Sequence, residues 1–174
     1  MVKGLQRSMS RGNELRQEIV KRVIAVRVGL LTADGATGVG FGSLVIGDFP
    51  AGNILLLGAI AYMQFSGPTS GDLVDTWEGD YGIGTTPASD ATITAGDVDM
   101  VPSTALAAAV AEISPRTRGV NATGALTGQI FDNTDDSLEL NLNLLIDDVD
   151  IAADGIVMTV NGELHLAYIA MGDD

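Results

Sequence analysis

From residue 137 to 146 the chain reads SLELNLNLLI, with Leu138, Leu140, Leu142, Leu144 and Ile146 spaced two apart and Glu139, Asn141 and Asn143 between them. A period of two places all five aliphatic side chains on one side of an extended strand, whereas a helix would scatter them around its circumference. The segment is therefore predicted to be a central strand with a dry face inward and a wet face outward. Burying each such leucine contributes roughly 1.5 to 3 kcal/mol, so this one strand constrains the whole fold. After the turn DDVDIAADG, Ile156–Val160 and Glu163–Met171 flank the dipeptide Asn161-Gly162. Asn-Gly supplies the positive φ angles of a two-residue hairpin loop, so an antiparallel hairpin is expected there.

The upstream sequence follows the same logic with more interruptions. Val23–Val28 alternates, and VGFGSLVIG at 39–47 reads as a strand bent by its glycines. The turn DFPAG at 48–52 leads into Asn53–Phe65, the most apolar stretch and long enough to expect a bulge. A polar turn at 66–72 precedes Leu73–Ile83, read as a half-buried strand. Residues 84–104 form a long excursion with a short strand around Ala91–Thr94, expected to be a binding loop or a segment ordered by a neighbour. Thr104–Ile113, rich in alanine and followed by Pro115, favours a short helix by propensity. Gly128–Phe131 leads into the turn before the leucine strand. Roughly eight strands without helical crossovers define an all-β antiparallel sandwich, with a jelly roll as the expected arrangement.

Charge divides the chain. Residues 1–27 carry seven bases against two acids, whereas the following 147 residues carry two bases, Arg116 and Arg118, against 21 acids. Residues 1–22 are accordingly read as a basic arm or short helix, capped by Asn13 with Leu15, Ile19 and Val23 at four-residue spacing, and 23–174 as the acidic sandwich. Lys3, Arg7, Arg11, Arg16, Lys21 and Arg22 are the expected partner-binding residues of that arm. An acidic body repels phosphates, which leaves the arm as the only route to nucleic acid. Cysteine is absent, so the fold rests on packing or oligomerisation. Met1–Arg27 has no continuous apolar segment of the kind a secretory signal requires, and the apolar run Ile54–Phe65 is too short to span a bilayer, so no membrane association is expected.

No arrangement points to catalysis, and neither an enzymatic role nor a cofactor is expected. The single histidine, His165, falls on the wetter side of a strand and reads as a surface or interface residue. GATGVGFG at 35–42 lacks the Gly-Lys-Ser/Thr ending of a phosphate loop. Two acidic turns are candidate calcium sites through Asp132 and Asp135 and through Asp147 and Asp150, although both read more simply as wet strand ends. Asp75 and Glu78 fall on opposite faces of their strand, which separates them as an acid and base pair. Trp77 and Tyr81 are the candidate glycan-stacking or interface aromatics, and Asn121-Ala122-Thr123 reads as loop.

Taken together, SLVIGDFPAGNILLLGAIAYMQF at 43–65, the Gly/Thr/Ala-rich excursion from Gly82 to Thr104, and SLELNLNLLIDDVDIAADGIVMTVNGELHLAYIAM at 137–171 resemble the jelly-roll head decoration or cement proteins, and related accessory structural proteins, of tailed bacteriophages. The resemblance implies a virion structural protein at the capsid surface, assembled in the host cytoplasm. It further implies a homo-oligomer, often a trimer, that binds the major capsid protein or another virion protein of the assembled shell. The basic arm departs from the pattern and is expected to anchor the protein. A head- or tail-associated carbohydrate-binding module and a shell-forming subunit are the alternatives.

Overall fold

The computed structural model describes residues 19–33, 40–68, 73–121, 128–147 and 155–172, with only the course of the strand described over 27–33. Among these residues the chain forms nine strands: β1 (Ile19–Ala33), β2 (Gly40–Asp48), β3 (Asn53–Ser66), β4 (Gly79–Gly84), β5 (Val101–Leu106), β6 (Thr117–Asn121), β7 (Ile130–Phe131), β8 (Glu139–Ile146) and β9 (Ile156–Gly172). One 3-10 turn, Ala95–Asp97, lies between β4 and β5. The strands build two antiparallel sheets that pack face to face. Sheet A has the order β1-β9-β3-β6 with β7 also on β3, and sheet B has the order β2-β8-β4-β5. The pairs β1 with β9, β2 with β8, β3 with β6 and β4 with β5 nest inside one another along the sequence.

Alternation sets the core. Leu140, Leu142, Leu144 and Ile146 of β8 are fully buried between the sheets, opposite alternate residues of β9 from Ile156 to Tyr168. On β3 the inward set changes parity, from Ile54 and Leu56 to Ala59, Ala61, Met63 and Phe65. The expected bulge explains this: pairing with β9 slips between Leu56 and Gly58, and one extra residue turns every later side chain to the other face. The bend read from the β2 glycines also has a counterpart in a slip between Val45 and Gly47.

Several local expectations are corrected. Asn161-Gly162 makes no hairpin, because β9 runs unbroken for 17 residues and pairs with β1 on one side and β3 on the other. Gly162 serves close approach instead: a Cβ there would lie 2.2 Å from the Tyr62 carbonyl oxygen and 2.4 Å from the Met63 Sδ. The helix expected over 104–113 is absent; its first residues extend β5 against β4, and Val110–Ile113 closes a tight turn with left-handed Ala111 and Glu112. Pairing with β4 overrides alanine's helix propensity. Only Gly79–Gly84 of the strand expected over 73–83 is extended, and the preceding turn buries Leu73 and Trp77. Residues 91–94 are not a strand either.

At the N-terminus, residues from Ile19 onward are strand, which removes the last part of the expected helix and puts the arm boundary at 22 inside β1. Lys21 and Arg22 thus belong to the sandwich, while Lys3, Arg7, Arg11 and Arg16 lie outside the described residues.

The two outer faces differ. Asn141 and Asn143, expected to face water, are buried because the 84–104 excursion folds over sheet B. Asn143 Nδ2 donates to the carbonyls of Thr86 (2.9 Å) and Asp97 (2.7 Å), and its Oδ1 accepts from the Ala88 amide (2.8 Å). The excursion is therefore a cover tied to β8. The outer face of sheet A has no such cover among the described residues.

Candidate functional site: a cationic trough across sheet A

Strand register places residues from four strands in rows on the uncovered face. One row reads Val23, His165, Ile60, Val120 from β1, β9, β3 and β6. A neighbouring row reads Lys21, Ala167, Gly58, two of whose members are small. Between them lie the backbones of Arg22, Leu166, Ala59 and Asn121, the residues whose alternation is opposite to that of their neighbours. The result is a trough of about 480 Å³ running across the strands, with Arg118 also on its lining. A further row of aliphatics, Ile19, Ile169, Leu55 and Ile130, lies beyond the small-residue wall. Ile19, Val23 and Ile130 are each more than half exposed, at 57, 59 and 58%. Contiguous apolar exposure of this kind marks an interaction surface more often than solvent-facing sheet.

Electrostatics sharpen the picture. Arg116 and Arg118, the only Lys or Arg residues after residue 27, share this face with Lys21 although β1 and β6 are far apart in sequence. Arg116 Nη2 donates to Glu163 Oε1 at 3.1 Å and its guanidinium lies 5.8 Å from the Tyr62 ring centroid. Glu163 Oε2 is 3.6 Å from His165 Nε2, and the imidazole meets Tyr62 edge to face at 6.2 Å. Arg22 is turned away: it bonds the Asp48 carbonyl and lies 3.5 Å from the Asp48 carboxylate, tying β1 to the end of β2. Lys21 and Arg118 form no ion pair among the described residues. The trough combines an apolar floor with a cation at each end, an arrangement suited to recognition of a carboxylate-bearing apolar ligand.

The other sequence-derived candidates are placed differently. Trp77 and Tyr81 are fully buried, which corrects their reading as exposed glycan or interface aromatics. Trp77 Nε1 donates to the Glu112 carbonyl at 3.1 Å, and Tyr81 Oη donates to the Thr117 carbonyl at 3.1 Å. Burial pushes the Tyr81 phenol up to about 12. Asp132 and Asp135 accept from Thr134 and Ser137 two residues on, and these bonds hold the Asp132 carboxyl below its ordinary value. They are turn-forming carboxylates. Asp150 lies outside the described residues, and among the described residues no three acidic or histidine side chains converge as metal ligands. Asn121, expected in a loop, is buried at the end of β6.

Asp147 sits near Glu78 and Asp80 at one end of sheet B, and partial burial, then Asp80, then Glu78, raises its pKa above the ordinary 3.8. The folded state thus holds this proton more tightly than the unfolded chain. Stability falls as pH rises from 3.8 through the raised value and stays lowered above it. Asp147→Asn is expected to raise the thermal midpoint at pH 7 and to leave it unchanged below pH 3.8. Melting curves at the two pH values check this; an equal shift at both would contradict the assigned cause.

The sequence reading missed the trough because its parts come from four strands whose register no local pattern reveals. One signal was present: Arg116 and Arg118, two apart beside a short strand, share a face in an otherwise acidic body. Fold and site together define a two-sheet antiparallel β-sandwich with an apolar face that carries basic side chains. Searches of the sequence against protein-family models and curated proteins, and of the fold against solved structures, return no match.

Proposed function

We propose that this protein is a non-enzymatic structural component of a virus particle, a decoration or stabilisation protein that binds the assembled capsid shell and associates with copies of itself. The nested strand pairs support a jelly-roll reading, two interlocked Greek keys, an architecture used by viral capsid and lectin domains. Architecture alone does not assign a role. The observation that carries the proposal is the collection of Lys21, Arg116 and Arg118 on the aliphatic sheet face that the described residues leave uncovered, next to the entry of the basic N-terminal segment into β1. Exposed apolar patches of that kind mark interaction sites, and the adjoining bases extend the positive character of this one toward a partner. The carbohydrate-binding alternative loses its intended platform, since six of the eight aromatics are buried.

Mixing purified full-length protein with empty cognate shells and measuring the retained mass by sedimentation tests this role. The full chain is expected to remain on the shells and saturate at a fixed stoichiometry. Deletion of residues 1–18, which stops short of β1, is expected to preserve the β-sheet circular dichroism and weaken retention at least tenfold. Absence of full-length retention, glycan binding without shells, or closed particles formed unaided would each contradict the decoration role.

A further inference from the structure

We infer that the trough on sheet A docks an extended, acidic and aliphatic segment of another protein, with two carboxylates about six residues apart. This names the partner chemistry for the face on which the proposed function rests. Lys21 and Arg118 stand on β1 and β6, the outermost strands of sheet A, with β9 and β3 between them. Three inter-strand spacings separate those strands, and the register sets Arg118 level with Ala25, four residues along from Lys21, so the two backbones lie about 20 Å apart on a diagonal across the face. An extended segment rises about 3.3 Å per residue, so acids at positions i and i+6 match that span. Between the cations the walls are Val23, Ile60 and Val120 on one side and Ala167 and Gly58 on the other, which fits small aliphatic side chains in the middle of the segment.

Charge favours an acidic partner over a second copy meeting the same face. Two-fold pairing through the trough would set the cations Lys21, Arg116 and Arg118 of one protomer against the same set on the other, and like charges across an interface oppose association. The segment preceding β1 has the same sign as the trough's ends, with Lys3, Arg7, Arg11 and Arg16, and so lacks the complementary charge.

The test uses the full chain and two labelled peptides of equal composition, one with glutamates six apart around valine and alanine, the other with the glutamates adjacent. Fluorescence anisotropy is expected to show the spaced peptide binding at least tenfold more tightly, with the advantage shrinking at high salt. Arg118→Glu and Gly58→Phe are each expected to weaken it tenfold or more. Gly58 has open space where a Cβ would sit, so a larger side chain there fills the trough while the sandwich stays folded. Val110→Ser, at an exposed turn elsewhere, is expected to change nothing. Equal binding of both peptides, or insensitivity to both trough variants, would overturn the inference, as would a self-associated state that Arg118→Glu dissolves. The same variants on empty shells separate the two proposals: if the wild type is retained and both variants are retained equally, the docking site falls while the decoration role stands. If the spaced peptide binds but wild-type protein does not bind shells, the role falls and the docking site stands.

Discussion

Replacing Gly162 with alanine is expected to cost about 3 kcal/mol or more of folding stability, read as a lower denaturant midpoint. The added Cβ would meet the Tyr62 carbonyl oxygen at 2.2 Å and the Met63 Cα at 3.0 Å, both on the backbone of β3, which cannot swing aside as a flexible side chain would. Relief requires β9 and β3 to separate where they are paired along most of their length, and β9 is held on its other edge by β1. Asn161→Ala provides the contrast. Asn161 is exposed in the same continuous strand, so its replacement is expected to change stability by no more than about 0.5 kcal/mol. A hairpin at this dipeptide would make both positions sensitive, because both central residues of such a turn need positive φ. Matching losses at the two positions would therefore contradict the unbroken β9.

Asn143→Ala is the second large effect, expected to lower stability by about 3 kcal/mol and to open the 85–99 cover. Asn143 is fully buried, and its amide satisfies the Thr86 and Asp97 carbonyls and the Ala88 amide. Each buried polar group left unpaired costs about 1–3 kcal/mol. The cover limits that cost by lifting into water, so hydrogen exchange should accelerate at Ala88 and Asp97 while β9 amides stay protected. Uniformly protected amides in the variant would show that the cover is held by packing alone. Gly84 adds to the close fit, since a Cβ there would lie 2.0 Å from the Gly96 carbonyl oxygen.

Much of the fold was legible in the sequence where one face of a strand is apolar and its neighbours supply no competing signal. The leucine strand, the bulged β3 and the bent β2 were read from alternation and length, and each corresponds to an observed strand. The misread elements share a cause: local preference was overruled by pairing partners distant in sequence. Asn-Gly prefers a turn, yet β1 and β3 hold it extended; the alanines after Thr104 prefer helix, yet β4 recruits their first residues. Asn141 and Asn143 alternate as a wet face would, yet alternation reports which residues share a side and not what later covers that side. The buried Trp77 and Tyr81 illustrate the same gap, since a large aromatic with a polar atom suits both a sugar platform and a hydrogen-bonded core position. Of the recognition surface, the arm's charge was visible, but the trough depends on the register of four strands and was not.

The uncovered face of sheet A, and not the covered face of sheet B, is the proposed partner-binding surface. Oxidative footprinting of the protein free and bound to empty shells tests it directly. Protection is expected at Ile19, Val23, Ile60, Val120 and His165, with Val45 and Val110 oxidised equally in both states. Protection confined to Val45 and the 85–99 cover, with the sheet A residues unchanged, would contradict it.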